Sequence, residues 1–276
     1  YQRGYAGTRP KKPDLAPQIS AVARTFAAWK GVPGAPQGPR EVDVALISIG
    51  VNDLGFGPVL SFCTKAGIIG TAGCEDIGAV ATVSSLTGKV TLARKDGAST
   101  TLRDEVARMQ GLLPAKYPPL RAALAKGPQP DGGGLGLTDM KRVFFTTYPD
   151  FASGDDGQPC DTQSSSFASA TNIPKWPRST WAWLQEQSGV LNQKVAAGAG
   201  SLGANVVMVP GEIFRARGYC AKDSYFVPIS TAVLANDLGG PFHPNRFGHL
   251  VSEKYNREAV CARLYGNANC SGKPKA

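Results

Sequence analysis

The chain has 276 residues, of which 42% are hydrophobic and 18% are charged. This composition is typical of a globular protein and excludes a disordered one. Its net charge of +9 comes from scattered Lys and Arg residues that are not interleaved with aromatic residues. The charge therefore does not indicate a nucleic-acid surface, although it allows an anionic surface as a partner. No apolar run approaches the ~20 residues of a membrane-spanning helix.

Hydrophobic periodicity predicts helices that alternate with short apolar strands. Three runs are apolar almost throughout and rich in β-branched or aromatic residues, which is typical of parallel strands buried on both faces. The predicted strands are Val42–Ile49, Arg142–Tyr148 and Ala204–Val209. The predicted helices are Leu15–Trp29, a short one from Phe56 or Pro58 to about Thr64, Leu102–Leu113, Pro119–Lys126, Thr180–Ala197 and Pro244–Leu264.

This succession predicts an α/β fold with a parallel sheet. The segment Ala66–Ser99 mixes helix and strand signals and is left unassigned. There is no internal repeat and no signal of a second-domain boundary, so we expect residues 1–276 to belong to one domain.

The 6 cysteines favour disulfide bonds over a metal site, because none of them forms a Cys-x-x-Cys pair. An even number of cysteines indicates an oxidising compartment, with free thiols in a cytosolic protein as the alternative. Two pairs enclose loops short enough to close locally, which leaves the third pair by elimination. The expected bonds are Cys63–Cys74, Cys261–Cys270 and Cys160–Cys220.

A Gly-Val-Asn-Asp segment, Gly50–Asp53, directly follows the first predicted strand. Ligands of open α/β sheets bind at the carboxyl ends of the strands. There the amide of Asn52 could donate a hydrogen bond to a developing oxyanion. The ordinary alternative is that these residues form a turn or cap the next helix.

Both histidines lie near the C-terminus, at His243 and His249. His243 stands between a Gly-Gly-Pro loop and the last predicted helix, from where it could reach a cleft as a general base. An ordinary surface histidine is the alternative. His249 falls inside the helix and is interpreted as structural. The two are poorly spaced for a metal pair and no third ligand lies nearby, so no zinc site is expected.

Together these segments resemble the SGNH (GDSL-like) hydrolases, in particular secreted actinobacterial lipases and esterases. The resemblance extends from about Leu15 to the end of the chain. It implies a flavodoxin-like, three-layer α/β/α fold, secretion, hydrolysis of ester bonds, no cofactor and three disulfides in the pattern above. The matching blocks are Ser48–Phe56 with Cys63 and Cys74 behind it, Tyr148–Asp150, and Phe242–Asn245 with Gly248 and His249.

The resemblance implies three site residues. Asn52 would be the oxyanion donor, His243 the base, and Gly50 a backbone element of the same block. A second oxyanion glycine would precede the first helix, where Gly4 and Gly7 are the candidates.

The chain departs from the family beside its histidine. The family often has an Asp three residues before the His, where this chain has Gly240, and Asp237 lies further upstream. A backbone carbonyl could orient the imidazole instead, which would give a Ser-His dyad in place of a triad.

The family's Gly-Asp-Ser nucleophile block does not occur in the sequence. Gly154–Asp156 has no serine after it, and Ser48 lies on a predicted strand where it should point into the core. The resemblance therefore places the first strand and its serine on a separate N-terminal fragment, which would bind by strand addition. Without that strand, each buried and unsatisfied backbone group would cost about 1–3 kcal/mol.

Three functions follow as hypotheses. The first is a secreted serine ester hydrolase, a lipase or esterase, that acts on an ester or lipid with the serine of its companion fragment. The second is a catalytically inactive SGNH-like binding module. The third is an acyltransferase on the same scaffold. The acyl group is open, and glycan deacetylation is among the options.

Overall fold

A computed structural model describes thirteen segments of the chain. They are residues 18–28, 42–51, 56–57, 59–60, 62–63, 73–77, 83–85, 88–90, 101–127, 134–161, 176–228, 242–267 and 269–271.

The described strands form a parallel sheet and a separate antiparallel hairpin. They are, in chain order, β1 (Ala45–Ile47), β2 (Val83–Ser85), β3 (Gly88–Val90), β4 (Val143–Thr146) and β5 (Asn205–Val207). The parallel sheet has the order β1-β4-β5, and β2 pairs with β3 in the hairpin. The parallel sheet confirms the predicted α/β class. The hairpin lies in the segment that periodicity left unassigned.

The described helices surround this sheet. They are α1 (Gln18–Ala28), α2 (Leu102–Leu112), α3 (Tyr117–Ala125), α4 (Arg178–Leu202), α5 (Gly211–Arg215) and α6 (Arg246–Tyr265). The helix α4 contacts both β4 and β5, and α6 contacts β5, which gives the layered α/β arrangement that the sequence predicts. Within the described residues, no helix combines the length and the apolar character needed to span a bilayer.

The strand β4 is the buried centre of the sheet. Val143 and Phe145 pack on one face against α3 and α4, and Phe144 is buried on the opposite face. All four residues of β4 are buried, because β4 has a strand partner on each side. The prediction of a buried core strand in Arg142–Tyr148 is therefore confirmed.

The strand β1 is shorter and more exposed than predicted. The apolar run Val42–Ile49 predicts burial on both faces, yet Leu46 is 48% exposed and Ser48 is exposed as well. The reason is that β1 pairs with β4 on one side only, and no described strand pairs with its other edge. The expectation that Ser48 points into the core is wrong for the same reason.

The ends of two helices differ from the prediction. The helix α4 continues past Ala197 to Leu202 and ends at Gly203, whose φ of 73° suits glycine. The helix α6 is capped by Asn245, whose side-chain oxygen accepts hydrogen bonds from the backbone of Phe247 and Gly248. The residue Pro244 therefore precedes the cap and does not lie in the first turn of α6.

The described disulfides are Cys63–Cys74, Cys160–Cys220 and Cys261–Cys270, and no described cysteine is free. The pairing predicted from loop length is thus confirmed. The bond Cys160–Cys220 joins residues 60 apart in sequence, whereas the other two bonds close loops of 11 and 9 residues.

The helices α3 and α4 meet at a glycine. A Cβ atom at Gly198 would come closer to the ring of Tyr117 than real Cβ contacts allow, whereas one at Gly189, on the same helix, would meet nothing within 4 Å. Tyr117 is itself buried against Phe145, with ring centroids 5.6 Å apart. The two helices can therefore approach each other only because residue 198 has no side chain.

We expect Gly198→Ala to lower the free energy of unfolding by about 1–3 kcal/mol, because the added methyl group overpacks the contact with Tyr117. The matched variant Gly189→Ala should raise it by about 0.5–1 kcal/mol through helix propensity alone. Urea unfolding followed by circular dichroism measures both values. Equal effects of the two substitutions would contradict this account of the contact between α3 and α4.

Candidate active site

A cavity of about 390 Å³ opens at the carboxyl ends of β1 and β4. This is the edge of the sheet where open α/β proteins place their ligands. The chain leaving β1 forms one wall through Ser48 and Val51, and the chain leaving β4 forms the next through residues 147–149. The remaining walls are the face of α4 from Trp183 to Leu191 and the first turns of α6.

His243 lies exposed among the residues that line this cavity. Its backbone is paired with the chain near Val227, since Val227 N–H donates to the His243 carbonyl at 2.9 Å and Phe242 N–H donates to the Val227 carbonyl at 3.1 Å. Asn245 continues this contact with a hydrogen bond from its backbone N–H to the carbonyl of Tyr225 at 2.7 Å. The position of His243 is thus set by long-range pairing as well as by α6.

Phe242, directly before His243, has a left-handed backbone with a φ of 66°. This conformation is uncommon for a bulky residue and costs about 1–3 kcal/mol. Its ring is 5% exposed and stacks on Trp176 at 5.6 Å and on Tyr219 at 4.5 Å between centroids. The aromatic packing stabilises the strained residue, so the ring is held in the core while His243 stays at the cavity.

Gly50 ends the segment after β1 with a φ of 118°, a conformation that side chains rarely adopt. It is buried, and a Cβ atom there would lie 3.3 Å from Leu191 Cδ1. Val51, the next residue, lines the cavity and donates its N–H to the hydroxyl of Tyr148 at 3.5 Å. The turn therefore brings the predicted block to the cavity wall one residue before Asn52.

Several predicted residues lie outside the described part of the chain. Asn52, the oxyanion donor of the hypothesis, is one of them, and the others are Gly4, Gly7, Asp237 and Gly240. Of the predicted site residues, the structure brings His243 and the turn at Gly50 to one edge of the sheet, and it leaves the place of Asn52 undescribed.

The Tyr148–Asp150 block divides between the cavity and the packing behind it. Tyr148 lines the cavity, and its backbone is held by Asn192, which accepts from Tyr148 N–H at 2.7 Å and donates to the Tyr148 carbonyl at 2.8 Å. Asp150 instead accepts a hydrogen bond from Gln185 at 2.6 Å and lies 3.9 Å from Arg215. The block thus orients the loop after β4 beside His243.

The helix α6 adds lining residues that sequence reasoning missed. His249, interpreted as structural, is exposed and lines the cavity, together with Ser252 and Asn256. The spacing of these three residues places them on one face of a helix, and this polar face is the signal that could have found them. No group of three metal-ligating side chains occurs within the described segments.

No family model and no curated protein matches the sequence. A solved structure that is similar to the chain is the extracellular lipase from Streptomyces rimosus. It is 14% identical, the match covers 77% of this chain and 68% of the lipase, and the TM-score is 0.45. At this identity and score the likeness carries no argument about the activity of this chain.

Proposed function

We propose that this chain is the scaffold of a secreted serine ester hydrolase, a lipase or esterase. The observation that carries the proposal is the position of His243 on an apolar cavity at the edge of the sheet where the Gly50 turn ends β1. In this proposal His243 is the general base, Asn52 is the oxyanion donor, and Gly50 forms the turn that presents Asn52. The three disulfides support export to an oxidising compartment.

In this proposal the serine lies outside these 276 residues, on a strand that pairs with the edge of β1 that no described strand occupies. The run around β1 is apolar enough for a strand buried on both faces, yet Leu46 is 48% exposed. Leu46 and Ser48 also line the cavity that His243 lines, so β1, whose other edge has no described partner strand, borders the same space. A strand parallel to β1 would cover Leu46 and end at the cavity.

The reaction is acyl transfer in two steps. The serine oxygen attacks the ester carbonyl while His243 takes the hydroxyl proton, and the amide of Asn52 donates to the oxyanion of the tetrahedral intermediate. The bond from the acyl carbon to the alcohol oxygen then breaks, and the imidazolium returns the proton to the leaving alcohol. Water repeats the sequence on the acyl-serine and releases the carboxylic acid and the free serine.

Labelling with a biotinylated fluorophosphonate tests this proposal. The protein is isolated from its culture medium, labelled, separated under denaturing conditions and mapped by mass spectrometry. We expect the label on a serine outside these 276 residues, in material that hydrolyses p-nitrophenyl esters. The variant Ser48→Ala is the matched control, since Ser48 lines the cavity and its loss should leave labelling unchanged.

Two outcomes would contradict the proposal in different ways. A label on Ser48, Ser188 or Ser252, the serines that line the cavity, would place the nucleophile within this chain and remove the companion fragment. No label and no ester hydrolysis would favour the inactive binding module. An acyltransferase differs only in the acceptor of the second step, and product analysis with an added alcohol distinguishes it from a hydrolase.

A further inference from the structure

The inner wall of the cavity is a continuous apolar surface. It is formed by buried side chains that pack within one hydrophobic cluster, with Phe56 partly buried against it. The side chains that line the cavity and belong to this cluster include Val59, Val106, Phe151, Trp183, Leu184 and Phe226. Since these side chains come from distant parts of the sequence, the apolar wall is a product of the fold.

Charged side chains do not contribute to the described cavity lining. Apart from the two histidines, no lining residue of the described chain is Lys, Arg, Asp or Glu. Such a lining suits a hydrocarbon group, because apolar surface leaves water favourably and a charged or heavily hydroxylated group would lose its hydration without new partners.

Some of the polar side chains that line the cavity are already engaged, whereas the buried Oδ1 of Asn256 has no partner within the described residues. Gln187 accepts a hydrogen bond from Gln110 at 3.0 Å, and the hydroxyl of Ser188 donates to the Leu184 carbonyl at 3.0 Å. The indole N–H of Trp183 differs, because Trp183 is 2% exposed and this donor has no acceptor within the described residues. Since this nitrogen is inaccessible to water, it adds no polar partner for an occupant of the cavity.

We propose that this cavity binds the acyl chain of the substrate, and that the chain is a straight hydrocarbon of ten or more carbon atoms. A cavity of about 150 Å³ holds benzene, so a cavity of about 390 Å³, roughly two and a half times as large, has room for up to about fifteen carbons. This inference rests on the proposed function and deepens it, since it selects a medium-chain lipid ester over an acetylated glycan.

Direct binding of the sodium salts of butanoic, hexanoic, octanoic and decanoic acid tests the inference without catalysis. Titration calorimetry on the purified protein should show affinity that rises by about fourfold per added methylene group. Decanoate has six more methylene groups than butanoate and should then bind about 4,000-fold more tightly. Equal affinities across the series would overturn the inference.

A substitution that fills the cavity locates the bound chain. Ser188 is partly buried and faces the cavity from α4, whereas Glu186 lies exposed on the same helix and does not line it. We expect Ser188→Phe to weaken decanoate binding by tenfold or more and to leave acetate binding unchanged. Glu186→Phe, which adds the same ring outside the cavity, should leave decanoate binding within twofold of the parent protein. Equal losses in the two variants would place the chain elsewhere and overturn the inference.

The failure of the inference and the failure of the proposed function give different results. If p-nitrophenyl acetate is hydrolysed with a higher kcat/KM than p-nitrophenyl decanoate, the esterase stands and the acyl-chain assignment falls. If decanoate binds as expected while no form of the protein hydrolyses any ester, the proposed esterase function is wrong and the hydrocarbon-binding site is supported. Hydrolysis that favours the decanoyl ester, and loses this preference in Ser188→Phe, supports both.

Discussion

Replacing His243 with glutamine lowers kcat for hydrolysis of a p-nitrophenyl ester by about 10²–10⁴-fold, the usual contribution of a positioned general base. The imidazole is lost, while the side chain stays polar and close in size. Because His243 is exposed and its described hydrogen bond is accepted by its backbone carbonyl, the substitution should leave Tm and KM nearly unchanged. Steady-state kinetics and thermal unfolding, measured on preparations that carry the fluorophosphonate-reactive serine, check both parts.

The second histidine provides the comparison. His249 lines the same cavity from α6, so a general effect of removing an imidazole from this surface would appear in His249→Gln as well. We expect His249→Gln to lower kcat by less than tenfold. A loss in His249→Gln equal to that in His243→Gln, or a fully active His243→Gln, would remove His243 from the proposed mechanism.

Replacing both Cys160 and Cys220 with serine lowers the free energy of unfolding by about 4 kcal/mol. A cross-link between residues 60 apart in sequence removes more entropy from the unfolded chain than a short loop does, and the chain-entropy relation gives this magnitude. Urea unfolding of the double variant measures it. The expected loss is a large part of the stability of a typical domain, so expression at lower temperature is advisable.

The bond Cys261–Cys270 is the matched control, since it spans only 9 residues. The same relation gives about 3 kcal/mol for its removal. The two variants should differ in function as well, because Cys220 follows Tyr219, whose ring stacks on Phe242 next to His243. Loss of Cys160–Cys220 should therefore broaden the imidazole NMR signal of His243, while loss of Cys261–Cys270 should not. A larger loss of stability from removing Cys261–Cys270 would contradict this account. So would a broader His243 signal in that variant than in the variant without Cys160–Cys220.

Local sequence patterns predicted correctly those strands that are buried along their whole length. Arg142–Tyr148 was correctly predicted as a core strand, because β4 has a strand on both sides and all four of its residues are buried. The run Val42–Ile49 has the same apolar character but lies at the edge of the described sheet, where Leu46 and Ser48 are exposed. The hydrophobic pattern of a strand shows how much burial its side chains favour. It does not show whether a neighbouring strand is there to bury them.

In the candidate site, too, some features were predictable from local sequence and others were not. The Gly-Pro-rich approach to His243 and the glycine after β1 were visible as local signals, because a turn needs particular residues at particular positions. The face of α4 that lines the cavity carried no such signal, since Trp183 and Leu184 look like ordinary core residues until α4 is packed across the sheet.

The sequence by itself determined the parallel α/β succession and the place of His243 before the last helix, because both depend on neighbouring residues. It also determined the disulfides, because two pairs close short loops and leave the third by elimination. Only the tertiary structure decided that Phe242 is held left-handed between Trp176 and Tyr219. It alone also decided that the cavity has an apolar inner wall. Both features are formed by segments that are distant in the chain. They are stabilised by packing between those segments, which no local sequence pattern reveals.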